Sequence, residues 1–299
     1  MENIYETAMR ILNDDITIRK KQLKQKIQES YNENKPTKEE NALIDKAYDD
    51  FNKVPLKYNE SKSLTKITEI SPILRELISA KKLDFDDGLV LLTKDNAAKI
   101  EEAIKEDDDY FPFFERLFIS FSFSDIQQDK GRALFACIRE IDRDNSTNVW
   151  RYGDRDSIDK IVKYISSPQN NFWDELKIGK RSLPDELVEV GGTGIKSLST
   201  KICKYLSNEA SKKDKKYAHD CYYINDRIVK GVLLFYLDHY GVEHEKIKTA
   251  NKLKNIKYID FFNLLEMLNE AAEKKHGTKL SRNELDHILW YCYKSFKIY

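Results

Sequence analysis

Several signatures are missing from this sequence. No stretch of about 18 apolar residues occurs, so no membrane-spanning helix is expected. The opening residues, Met1 to Glu6, lack the basic-then-apolar pattern of a secretory leader, which predicts a cytoplasmic protein. The four cysteines, Cys137, Cys203, Cys221 and Cys292, are scattered without a CxxC pair, which argues against a disulfide framework, a zinc site and an iron–sulfur cluster. Walker A, GxSxG and HExxH motifs are all missing. The five histidines form no ligand pattern, His239 and His244 being five apart around Gly241. The expectation is therefore no metal and no cofactor. Glycine is scarce as well, with 10 in 299 residues.

What is present favours a folded helical chain. Apolar residues make up 40% and aromatics 11%, enough for a sizeable core. The charged fraction is 34% but of mixed sign, which fits solvated helix faces better than disorder. Net charge is zero overall and uneven along the chain. From Lys177 onward there are 23 Lys+Arg against 16 Asp+Glu, while residues 1–176 carry 28 against 35. The basic C-terminal part is suited to a polyanion, or reflects ordinary scatter.

Helical periodicity dominates. Helices are predicted over parts of 2–31, over 38–53 after the Thr37 cap, from Pro72 to about Lys81, from Lys94 to about Lys105, and over 131–141 and 156–166. Further helices are predicted over 184–190, 195–206, 224–240 and 258–275. A last one follows Ser281, which has Glu284 three residues on as a capping box. Segment 54–66 reads as a connector and 207–220 as an exposed insertion. Residues 84–92, with Asp87-Gly88, read as a short strand or a buried helix start. Phe111 to Phe123, holding six phenylalanines, reads as a core element. The fold class expected is mainly α.

Three of the scarce glycines fall within four positions, in Gly191-Gly192-Thr193-Gly194, and an apolar helical run starting near Lys196 follows at once. Glycine permits positive φ and close backbone approach. Backbone N–H groups at the start of the following helix suit a phosphate. Thirty residues on, Asp226 sits in Ile224-Asn225-Asp226-Arg227-Ile228, a carboxylate among apolar residues. Taken singly, each residue has a structural reading: Lys196 as a surface lysine, Asp226 as a helix N-cap, Trp290 as core. Lys201 and Lys204 share the helix of Lys196, so the choice of Lys196 as nucleophile rests on glycine spacing.

The order of short helix, glycine turn, Lys196 helix, Asp226 helix and closing aromatic helix resembles the helix-hairpin-helix DNA glycosylases. It resembles the 8-oxoguanine DNA glycosylase branch in particular, with spacing nearest its archaeal members. The matching elements are Gly192-Thr193-Gly194-Ile195-Lys196, Asn225-Asp226-Arg227-Ile228-Val229 and Leu285-Asp286-His287-Ile288-Leu289-Trp290. The resemblance implies a glycosylase-like domain over 111–299, preceded by a helical region over 1–110 of unassigned role. It implies that the Lys196 amine attacks C1′ of a flipped nucleotide and forms a Schiff base, with Asp226 as its helper and with or without strand cleavage by β-elimination. Gly191, Gly192, Thr193, Gly194, Lys201 and Arg227 would contact double-stranded DNA, and Thr200, Asp286 and Trp290 would line the base pocket. Thr200 stands where the eukaryotic pocket has cysteine, and Asp286 where it has glutamine. The base implied is thus a damaged or modified one, not fixed as 8-oxoguanine. The alternative is a non-catalytic module that grips DNA through the turn and recognises a protein partner through 1–110. A role in defence against phage DNA is a further reading.

Overall fold

The computed structural model describes residues 3–14, 20–30, 36–52, 55–56, 72–106, 131–144, 147, 149, 156–244, 247, 253, 255–293 and 297–298. Among these, the fold is mainly α. The helices are α1 (Ile4–Asp14), α2 (Lys20–Ser30), α3 (Lys38–Asn52), α4 (Pro72–Lys81), α5 (Lys94–Glu106), α6 (Arg132–Asp144) and α7 (Asp156–Ser166). They continue as α8 (Phe172–Lys177), α9 (Leu183–Gly191), α10 (Lys196–Lys213), α11 (Arg227–His239), α12 (Tyr258–His276) and α13 (Arg282–Tyr291). Two short ladders accompany them. Strands β2 (Phe85–Asp86) and β3 (Leu89–Val90) pair antiparallel, and β1 (Pro55–Leu56) lies parallel to β4 (Lys297–Ile298).

The open reading of 84–92 resolves as a hairpin. Asp87 and Gly88, with φ of 49° and 78°, form the positive-φ two-residue turn that Asp-Gly favours. The hairpin is tied down by tyrosines: Tyr236 Oη donates to Val90 O at 2.9 Å, and the Val90 N–H donates to Tyr293 Oη at 3.2 Å.

Apolar residues divide into two cores. The smaller joins Ile4, Ala8 and Leu12 of α1 to Leu23 and Ile27 of α2 and to Ile44 and Ala47 of α3. The larger runs from Leu74 to Tyr293. Helices α4 and α5, which precede residue 110, belong to the larger core. Helix α5 lies against α13, where Lys94 Nζ meets Glu284 Oε2 at 2.6 Å and Tyr291 Oη donates to Ala103 O at 3.3 Å. The phenylalanine-rich segment 111–123 and most of 54–66 lie outside the described residues.

Local capping explains several boundaries. Helix α13 starts at the predicted capping box of Ser281 and Glu284. Helix α12 has no side-chain cap of its own at Lys257 and takes one from α9. Asp185 Oδ1 and Oδ2 accept the Tyr258 and Ile259 N–H groups at 2.8 and 3.1 Å. Asp185→Ala is expected to cost about 1–2 kcal/mol, the usual effect of losing an N-cap, read as a lower denaturant midpoint at unchanged slope.

Candidate functional site

The turn between α9 and α10 needs glycine at one position and is tightly packed at the one before it. Gly192 has φ +92° and ψ 166°, a conformation essentially confined to glycine. Gly191 is buried, and a Cβ there would come within 2.6 Å of Ile195 Cδ1 and 3.2 Å of Ile161 Cδ1. Ser157 Oγ, from the first turn of α7, donates to Gly191 O at 2.6 Å and fixes the turn against α7. Residues Thr193–Ile195 form one 3-10 turn, and Gly192, Thr193 and Gly194 are exposed. The expected exposed glycine turn ahead of a lysine-bearing helix is therefore present.

Helix α10 is longer and more central than expected. It runs to Lys213, and every residue from Leu198 to Ser207 is buried. The exposed insertion expected over 207–220 thus begins later. Ser207 is buried, its hydroxyl donating to Lys204 O one turn back in the same helix at 3.0 Å, and Ala210 is buried too. A helix surrounded by protein must satisfy each polar side chain it carries. Lys201 and Lys204, three apart on this helix, are both buried.

Asp226 is the N-cap of α11, its Oδ1 accepting the Ile228 N–H at 2.7 Å. The preceding residue is pinned to α10, for the Asn225 N–H donates to Thr200 Oγ1 at 3.0 Å, and Thr200 in turn donates to Ser197 O at 2.9 Å. This brings the Asp226 carboxylate into the electrostatic reach of Lys201. Burial pushes the Lys201 amine below the ordinary lysine range, while Asp226 foremost, then Asp286 and Asp142, pull it back. Burial likewise raises the Asp226 carboxyl, opposed by the Lys201 charge and by the Ile228 N–H. Asp286 raises it further, and Lys230 lowers it. Three carboxylates from α6, the α11 cap and α13 therefore act on one buried amine.

The sequence-predicted residues fall into three groups. Lys196, expected as the nucleophile, is half-buried at the first position of α10, and no carboxylate lies within ion-pair distance of its amine among the described residues. Lys201, expected to touch DNA, is only 5% exposed, and Asp226 is the foremost charge acting on its amine. Of the expected base-pocket residues, Thr200 and Asp286 are buried, and Trp290 is half-buried against the large core. Arg227 is exposed.

No family model, curated protein or solved structure matches this chain. The site is therefore characterised by its own geometry. Sequence reasoning gave no role to Lys204 or Asp142. Lys204 pairs with Asp286 at 3.0 Å, and Asp142 Oδ1 accepts from Thr147 Oγ1 and the Val149 N–H at 2.6 and 2.7 Å. One signal for Lys204 was available: a helix apolar on every side at Leu198, Ile202, Cys203, Tyr205 and Leu206, yet interrupted by two lysines. Asp142 carried no comparable mark. No helix among the described residues is long and apolar enough to cross a membrane. One Asp86, Asp87 and His239 cluster has ligand spacing, but both carboxylates are exposed, and Lys275 Nζ already lies 3.2 Å from His239 Nε2.

Proposed function

We propose that this chain is a DNA glycosylase whose reacting groups are the Lys201 amine and the Asp226 carboxylate. The observation that supports this most is a buried lysine, on the helix that follows an exposed glycine turn, on which a helix-capping aspartate is the foremost charge acting. A lysine attacks only as the neutral amine, and desolvation is the usual means of making that form available near neutral pH. In the proposed step the amine nitrogen bonds to C1′ of a flipped nucleotide. The glycosidic bond breaks, its electron pair leaves on the base, and the proton lost by nitrogen passes to Asp226. Opening of the sugar ring then gives an imine. The exposed amides of the glycine turn, with half-buried Lys196 and exposed Arg227, would hold the phosphates on either side. This reading moves the nucleophile from Lys196 to Lys201, because Lys201 is the desolvated amine and Asp226 is the foremost charge acting on it.

The test is base release from duplex oligonucleotides carrying a panel of damaged and modified bases, 8-oxoguanine among them. Release of at least one base is expected, and no release across the panel contradicts the proposal. The pH profile carries a sign. Activity requires a neutral Lys201, which burial favours, so the single-turnover rate should rise with pH and level off below the ordinary lysine value of about 10.4. Because burial raises the Asp226 carboxyl, the acid limb should lie above the usual aspartate value of about 3.9.

A second reading is favoured by the 5% exposure of Lys201: a module that grips DNA through the glycine turn without chemistry. It predicts duplex binding that survives Asp226→Asn with no base release from either form. In both readings the separately cored α1–α3 unit is a candidate platform for a protein partner.

A further inference from the structure

The β2–β3 hairpin and the C-terminal end of α11 bring three metal-ligating side chains together. Tyr236, His239 and Tyr240 are spaced three and four apart, so they share the face of α11 on which the hairpin docks. Tyr236 Oη donates to Val90 O, and the Leu92 N–H donates to Tyr240 Oη at 3.0 Å. The turn then sets Asp86, at the end of β2, and Asp87, at its positive φ, near the His239 ring. One ligand atom from each of the three lies within 4.8 Å of the other two.

This cluster already faces a cation. Lys275 Nζ, from α12, lies 3.2 Å from His239 Nε2. An ammonium offers donors only, so Nε2 is the acceptor and the imidazole proton sits on Nδ1. The lone pair that a metal would take is therefore turned toward a positive charge. The Lys275 side chain is exposed, and its Nζ also lies 5.1 Å from the centre of the Tyr240 ring, a second resting place for that charge. His239 belongs to the last turn of α11, where the negative end of the helix dipole favours cations. Its side chain is only 9% exposed, so the nitrogen is held in place, whereas Asp86 and Asp87 are exposed and can turn.

We propose that Asp86, Asp87 and His239 form a binding site for one divalent transition-metal ion, and that the Lys275 ammonium holds its place when the metal is absent. One imidazole with two carboxylates suits zinc or manganese better than calcium or magnesium, which take oxygen ligands. Ligand atoms about 2.0–2.2 Å from a zinc ion stand about 3–3.5 Å from one another. The two exposed carboxylates reach that spacing by turning inward. Binding exchanges the Lys275 ammonium for the metal, and water completes the coordination from the open side. The ion would then clamp the hairpin to the end of α11. None of these residues takes part in the proposed base release, so the site stands apart from the glycosylase reading.

The experiment is a calorimetric titration of the full chain with Zn²⁺ alone, without DNA. A saturable equivalent is expected in the native chain. Its affinity should fall by about tenfold or more in His239→Phe and in the double variant Asp86→Asn/Asp87→Asn, since even an outer-shell partner of a metal contributes that much. Lys275→Met removes the competing charge and should bind zinc more tightly than the native chain. The aspartate variant alters only exposed side chains, so it tests the site even where loss of the half-buried ring costs stability. The proposal is overturned by a native chain that shows no saturable binding, or by an affinity unchanged in the aspartate variant. Binding lost in the aspartate variant but kept in a folded His239→Phe also overturns it, because that is the behaviour of an acidic surface patch. An affinity no higher in Lys275→Met overturns the placeholder role of the ammonium.

Discussion

Lys201→Met is expected to reduce single-turnover base release by roughly a thousandfold or more, the scale on which removing a covalent nucleophile acts. Lys196→Ala should stay within about tenfold of the native chain, because a half-exposed phosphate contact affects binding more than chemistry. The contrast follows from position along one helix. Lys196 opens α10 beside the glycine turn, whereas Lys201 lies more than one turn further in, walled by protein and under the charges of Asp226, Asp286 and Asp142. Methionine keeps the unbranched apolar stem and removes only the amine, so a folded but inactive protein is the predicted result. Circular dichroism alongside the rate measurement checks that fold. Equal losses in the two variants would place the chemistry elsewhere.

Asp286→Ala is expected to destabilise the fold by about 3–5 kcal/mol, since it leaves the Lys204 ammonium buried without a counter-charge. Replacing both partners by apolar residues of similar volume, as in Lys204→Met/Asp286→Leu, should be nearly neutral or stabilising by about 1–4 kcal/mol. The desolvation of two charges then no longer has to be offset by their attraction. Urea unfolding of both variants measures the difference. A double variant as unstable as the single one would show that the pair does more than neutralise itself.

Local chemistry was legible in the sequence, and long-range pairing was not. Ser281 and Glu284 stand three apart, so their capping box could be read directly. The turn at Gly192 was legible because only glycine takes its φ. Asp226 as an N-cap was also readable, though its cap role and its place beside Lys201 are separate facts. By contrast, Lys204 and Asp286 are 82 positions apart, and no periodicity links them. Glycine spacing pointed to Lys196, while burial distinguishes Lys201, and burial depends on the packing around the whole of α10. The membership of α5 in the larger core was illegible for the same reason. Helix α5 reads as an ordinary amphipathic helix, and only its docking on α13, 188 positions away at Tyr291 and Ala103, assigns it to the larger core.

The most direct measurement is borohydride reduction of the protein on a duplex bearing a base that it releases, followed by mass-spectrometric mapping of the modified peptide. The account predicts a reduced sugar adduct on Lys201, lost in Lys201→Met and retained in Lys196→Ala. An adduct on Lys196, or base release with no adduct on any lysine, would contradict it.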